Sequence, residues 1–277
     1  MISPYSLTVP GGVQGQILGL ARALRDMGQA VRVLGPCDGP PPEPFVTPLG
    51  NSIPTGANGS VAPIAPDPAA QLRTIRALRD ENFDVLHLHE PMAPGPTMTA
   101  LLLKPAPVVA TFHAAGSSLA YDVFKPLTAR GSQRIDLRFA VSEDARQLAE
   151  SALGGEYENA FNAVEVKRFR AATARKTEGP TILFLARHEP RKGLAVLLEA
   201  MTRLDSTVRL WVAGTGAETI ELQTLHAGDP RIEWLGELDE SEKMAAMKGA
   251  DVFCAPSLHS ESFGIVLLEA MAADTSV

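Results

Sequence analysis

Two glutamates, Glu261 and Glu269, stand in HSESFGIVLLEA with seven uncharged residues between them. A helix beginning near Phe263 would leave the backbone N–H groups of Phe263, Gly264 and Ile265 unpaired, and its dipole would favour an anion there. Glycine at that point lets a ligand approach the main chain closely. Glu261 precedes the helix and can accept hydrogen bonds from hydroxyls. Glu269 falls inside an apolar helix, where an unpaired carboxylate is costly. A polyhydroxyl ligand spanning both acids and the helix start would account for all three features. The plainer alternative is an N-capping Glu261 or Ser262 and a salt-bridged Glu269.

A second cluster, ARHEPRKG, places Arg187, Arg191 and Lys192 after an apolar run. Residues 177–277 carry a net charge of −8, whereas residues 1–176 carry +1, so three of the acidic half's eight cations lie within six positions. At an effective dielectric of about 20, one cation about 4 Å from a phosphate charge is worth about 4 kcal/mol before desolvation. Such a group can hold a diphosphate and stabilise it as it leaves. A solvated helix start is the bland reading. Gly11-Gly12 precedes another helical pattern and gives a third anion-ready start, although it is not a GxGxxG fingerprint and a plain turn fits as well. His113 ends the apolar run PVVATF; a lone histidine at a strand end is more often structural. His87 and His89 share one face of a strand without a plausible third metal ligand, and a structural role is favoured for both. Arg73, Arg76 and Arg79 recur every third residue on a helix. That stripe can meet an anionic bilayer, but a solvated face is the favoured reading.

These residues need positioning, and the chain supplies a regular frame. At 277 residues with 45% hydrophobic content, two domains are expected. No run of eighteen uncharged apolar residues occurs, the start lacks a signal peptide's basic and apolar regions, and the two cysteines are isolated. A reduced, cytoplasmic protein is expected. The net charge of −7 argues against general nucleic-acid binding. No acidic cluster with metal-ligand spacing stands out, so no metal site is assigned and a need for Mg2+ is left open.

Helical periodicity over 13–27 is followed by strand 30–35, and the proline-rich 36–56 reads as a surface loop. Helices near 68–81, 96–103, 118–130 and after Ser142 alternate with strands DVLHLHEP, PVVATFH and RFAVS. The rhythm restarts after 176 with TILFLARH, VRLWVAG, RIEWLGEL and DVFCAPS, and helices near 192–203, 218–226, 240–249 and 263–273. Alternating βα units predict parallel sheets covered on both faces. The expectation is two Rossmann-like domains facing a cleft, 1–170 and 171–277, with ligands beyond the carboxyl ends of the strands. A strand is expected before Pro4 and another after Val277, so the fold is expected to be incomplete at both ends.

PYS…VPGGVQ, FDVLHLHEP, VVATFH, EPRKG, LGELDESEK, DVFCAPS and ESFGIVLLEAMAA, in that order, resemble the family-four retaining glycosyltransferases of GT-B architecture. Within that family the resemblance is to members that move mannose from GDP-mannose to the inositol of phosphatidylinositol. It implies that Glu261 contacts the transferred sugar and Glu269 the ribose. It also implies that Arg187 and Lys192 grip the diphosphate, joined by Gly12 and by the helix start at Phe263, Gly264 and Ile265. Glu240 and Lys243 would lie near the base, His113 at the reaction centre, and Tyr5 and Gln14 in the inositol pocket. No tightly bound cofactor is implied. The partners would be a nucleotide sugar and a lipid at the inner face of the cell membrane. The sequence departs from the family at Thr8, where an aspartate is expected near inositol, at Ala163 for glycine, and at Asp274 in place of a glycine turn. The alternatives are another donor or a soluble acceptor, or a protein that binds nucleotide sugar without catalysis.

Overall fold

The computed structural model describes residues 1–57, 60–114, 131–259 and 263–277. Two compact units emerge, Met1–Ala163 and Val164–Val277. The boundary falls ahead of the expected 170 because helix Val166–Ala171 buries Phe169 beside Leu183 and Trp211, in the second unit's core. A short helix with one anchoring aromatic follows the core that accepts the aromatic.

In the first unit, helix α1 (Gly12–Asp26) is followed by β1 (Val33–Gly35) and β2 (Val46–Pro48), paired in parallel. A hairpin of β3 (Ile53–Ala57) and β4 (Ser60–Ile64) comes next. The expected surface loop at 36–56 therefore contains β2 and most of β3. Prolines are tolerated there because Pro54 and Pro63 face each other in a two-stranded ribbon, where missing donors cost little. Helix α2 (Pro68–Asp80) starts on an Asp67 cap that accepts from the Ala70 amide. Then β5 (Leu86–His89), α3 (Pro96–Leu103), β6 (Val108–Phe112), β7 (Leu137–Ala140), α4 (Glu143–Leu153) and β8 (Glu158–Asn159) complete the unit. Strands β5 to β8 pair in sequence order, all parallel.

Ahead of Pro4 a single residue, Ile2, bridges Leu34 on one side and Leu88 on the other, both in parallel. Its amide donates to the His87 carbonyl and its carbonyl accepts from the His89 amide. Its main chain thus joins β1 to β5, and its fully buried side chain lies in the core with Leu34, Leu88, Phe112 and Tyr157. The expected helix near 118–130 lies outside the described residues.

The second unit follows α5 (Val166–Ala171) with β9 (Thr181–Leu185), α6 (Leu194–Met201), β10 (Arg209–Ala213), α7 (Thr219–Leu225), β11 (Ile232–Gly236), α8 (Glu240–Gly249), β12 (Val252–Phe253) and α9 (Ile265–Ala272). Its parallel sheet runs β11-β10-β9-β12. Successive residues of β9 serve opposite faces: Leu183 packs with Trp211 and Phe253, Phe184 with Leu197, Leu198 and Val212. Two covered faces explain why this strand reads as a continuous apolar run. Because β9 and β12 are neighbours, the segments after them, 186–193 and 254–259, emerge side by side. Strand order therefore sets the cationic cluster beside the segment that follows β12.

Asp274, where the family pattern has glycine, takes the left-handed φ of +63° that the turn demands. Its carboxylate is held by Lys248 at 2.9 Å, and Arg170 stands 3.7 Å away. Among non-glycine residues Asp and Asn tolerate this conformation best.

Candidate functional site

In the second unit the chain leaves β9 as Arg187-His188-Glu189 and makes one 3-10 turn, Pro190–Lys192. Gly193 follows with φ +72°, and a Cβ there would lie 2.1 Å from the Pro256 carbonyl oxygen. The Leu258 amide donates to the Arg191 carbonyl at 2.8 Å, tying the cationic loop to the segment after β12. Glu189, not weighed in the sequence, bridges Arg187 at 3.1 Å and Arg191 at 3.0 Å. His188 is fully buried; its Nδ1 lies 2.8 Å from the Thr219 hydroxyl and its main chain bonds Thr215 and Glu218. Its position just after a strand was the only sequence signal for it; the structure sets its ring against Phe184 and Trp234. The loop is thus fixed from three sides, with Lys192 half-buried at its end.

Helix α9 begins at Ile265, two residues later than expected, because Gly264 caps it in the left-handed region at φ +71°. Phe263 and Gly264 therefore precede the helical N–H groups instead of supplying them, and the Leu267 amide closes onto the Gly264 carbonyl. Glu261 and Ser262 lie outside the described residues. Glu269 projects from α9 toward α8, where its Oε1 meets Lys243 Nζ at 2.8 Å. Glu240 stands 3.3 Å from the same ammonium, and the Phe169 ring lies 5.6 Å from it. Three residues assigned to donor binding, Glu240, Lys243 and Glu269, are thereby gathered. The salt-bridged alternative holds for Glu269, whose pKa is pushed up by burial and pulled back by Lys243. A capping box at Asp239 and Glu242 fixes the start of α8, so Lys243 sits on a rigid first turn.

In the first unit, His113 follows β6 and is buried. Its Nε2 lies 2.9 Å from His89 Nδ1, and the two rings stack with centroids 5.2 Å apart. His87 stacks on His89 at 4.4 Å and bonds the Thr111 hydroxyl at 2.7 Å. Glu90 was missed in the sequence. It adopts φ +47° and its Oε1 accepts the His113 amide at 2.5 Å and the Ala114 amide at 2.6 Å. A non-glycine residue in that region marks a built position. The Tyr5 phenol is pushed up by burial and then by the Glu90 carboxylate. Tyr5 and His113 thus flank one acid. Gln14, on the first turn of α1, donates to the Ser6 carbonyl at 3.3 Å. Gly12 opens that helix after an extended Gly11.

The arginine stripe is partly committed: Arg73 donates to the Leu49 carbonyl at 3.2 Å and Arg76 pairs with Asp80 at 3.3 Å. Among the described residues no helix is long and apolar enough to cross a membrane, and no three His, Cys, Asp or Glu side chains gather as metal ligands.

Burial lowers the pKa of all three first-unit histidines: His87 to about 4, His113 to about 3, and His89 well below its ordinary value. Each folded pKa lies below the unfolded one near 6.5, so the unfolded chain takes up protons first as pH falls. Their contribution is complete above pH about 6.5 and is lost below it, at up to about 1.4 kcal/mol per pH unit for each ring. Urea midpoints should therefore fall steeply between pH 6.5 and 4.5, and His89→Leu should flatten that fall. A flat profile in the unaltered chain would contradict the buried, neutral array.

Residues 10–159 match the model for Glycosyltransferase Family 4, and residues 165–277 that for Glycosyl transferases group 1. The fold is shared with the crystal structure of Anabaena Alr3699/HepE in complex with UDP and glucose. That likeness has a TM-score of 0.70 at 18% identity and covers 99% of this chain and 78% of the other. The chain belongs to the family-four glycosyltransferases and is a glycosyltransferase of the GT-B class. Among its relatives is the phosphatidyl-myo-inositol mannosyltransferase of Mycobacterium leprae, 44% identical over the whole of this chain and 76% of the relative. The enzyme of the same name from Mycolicibacterium smegmatis is 43% identical, over 74% of its length.

Proposed function

We propose that this protein transfers mannose from GDP-mannose to the inositol of phosphatidylinositol, with retention at the anomeric carbon. The observation that carries the reading is identity of 42–44%, over the whole of this chain and 74–76% of theirs, to enzymes named phosphatidyl-myo-inositol mannosyltransferase. It is supported by the juxtaposition of the Arg187–Lys192 loop with the segment that follows β12. The donor is a nucleotide sugar. Arg187 and Lys192 hold its diphosphate together with the main chain from Phe263 to Ile265. Glu269 accepts a ribose hydroxyl while Oε1 keeps its bond to Lys243, with Glu240 and Lys243 toward the base. Glu261 takes hydroxyls of the transferred hexose. Tyr5 and Gln14 line the acceptor site and His113 stands at the reaction centre.

The bond from C1 of mannose to the diphosphate oxygen breaks, and a bond from C1 to an inositol oxygen forms on the same face. The departing diphosphate takes the acceptor's proton. Cations and amides that bind the growing charge more tightly than the ground state supply the rate. The acceptor is a lipid, so the enzyme works as a peripheral protein at the cytoplasmic face of the membrane.

Incubation with GDP-mannose or UDP-glucose, each against phosphatidylinositol vesicles or free inositol, tests the reading. Mannosyl lipid formed only from GDP-mannose and vesicles is the expected result. Transfer to a soluble acceptor, or from the uridine donor alone, would replace it with another member of the same enzyme class. Binding of donor with no transfer to any acceptor would leave a nucleotide-sugar-binding protein.

A further inference from the structure

We infer that His89 is the positioning residue for His113, fixing which ring nitrogen of His113 carries the proton and making that ring a hydrogen-bond donor instead of a base. The inference rests on the reading that places His113 at the reaction centre.

The 2.9 Å contact joins His89 Nδ1 to His113 Nε2. Such a contact needs one N–H and one lone pair, so two neutral rings have only two arrangements. In the first, His89 donates from Nδ1, and His113 carries its own proton on Nδ1. In the second, His113 donates from Nε2, and His89 must carry its proton on Nε2. His89 Nε2 is buried and has no hydrogen-bond partner among the described residues. An N–H stranded there loses its whole desolvation cost, and buried orphan donors are rarer than under-satisfied acceptors. The first arrangement wins.

Chemistry that His113 performs outside the pair then runs through Nδ1–H, which donates to an oxygen and cannot accept a proton. Burial supports the neutral rings on which this depends, since a second proton would have to enter a site with His87 stacked on the far side of His89. The arrangement is rigid at both ends. Glu90 clamps the amides of His113 and Ala114, and His89 is fixed by its own amide's bond to the Ile2 carbonyl. The spacing follows from register: His89 pairs with Thr111 across β5 and β6, which puts His113 two residues farther along, on the same side of the sheet.

The test compares His89→Leu with His89→Asn in the full chain. Asparagine can place an amide N–H where Nδ1 was, although, like leucine, it gives up the ring that stacks on His87 and His113. Leucine removes the bond. Two-dimensional NMR of histidine labelled with 15N reports the tautomer of His113, and transfer assays report kcat and the donor KM. We expect His113 protonated on Nδ1 in the unaltered and Asn chains, and a mixture of tautomers in the Leu chain. kcat should drop about tenfold or more for Leu and about threefold or less for Asn, with the donor KM little changed. His113 found protonated on Nε2 in the unaltered chain, or unchanged tautomer and kcat in the Leu chain, overturns the inference. His113→Ala separates the two readings. If that variant transfers normally, the reaction-centre role of His113 is itself wrong. If it is inactive while His89→Leu is fully active, only the positioning role is lost.

Discussion

Lys192→Ala lowers kcat by about 100-fold or more, with the melting temperature nearly unchanged. The asymmetry comes from where the residue sits. The main chain of the cationic loop is held by bonds that do not involve the lysine side chain: Lys192 N to Glu189 O at 2.8 Å, and Leu258 N to Arg191 O at 2.8 Å. Gly193 locks the turn against Pro256. Truncating the side chain therefore removes a charge and leaves those main-chain bonds in place. A donor aimed at charge that develops only in the transition state is worth roughly 3–4 kcal/mol when removed. Arg187 is a less clean probe, because its loss also releases Glu189 from one of its two arginines. Steady-state kinetics beside thermal melts decide the matter. Loss of stability in step with loss of rate would assign Lys192 to the fold.

Glu269→Gln has the opposite signature and lowers both stability and donor affinity. The side chains of Lys243 and Glu269 are only 18% and 12% exposed, and their 2.8 Å contact is the pair's main compensation for lost hydration. Neutralising one partner leaves the ammonium poorly solvated, at a cost of about 3 kcal/mol. Glu240 at 3.3 Å and the Phe169 ring soften the loss without replacing it. Lys243→Met in the same chain should restore part of the stability, since the double variant strands no charge. Urea denaturation of both single variants and the double variant gives the coupling directly. Strictly additive losses would mean that the contact contributes nothing. Donor affinity should stay low in the double variant even where stability returns, because the carboxylate proposed to bind the ribose is still missing.

Much of the frame was legible along the chain. Helices α3 and α8 match their expected ranges, and α1, α2, α4 and the buried strands lie within a few residues of theirs. Apolar period and capping residues such as Asp67, Ser142 and Asp239 act over a few positions. The local errors have local causes. The hairpin of β3 and β4 was hidden by prolines that a two-stranded ribbon tolerates. The start of α9 moved from Phe263 to Ile265 because Gly264 adopts a left-handed cap.

By itself the sequence determined the alternation of strands and helices, the family, and the concentration of cations in ARHEPRKG within an otherwise acidic half. Each of these is carried by residue type and near-neighbour spacing. Only the tertiary structure decided which distant groups meet. Glu269 finds Lys243 across 26 positions and His113 finds His89 across 24. Ile2 bridges two strands, and Glu90 turns back onto two amides. Parallel strands joined by helical crossovers place residues two dozen apart in contact, and strand order and register choose the partners. Those choices are made by burial of whole faces, which no short window of sequence records.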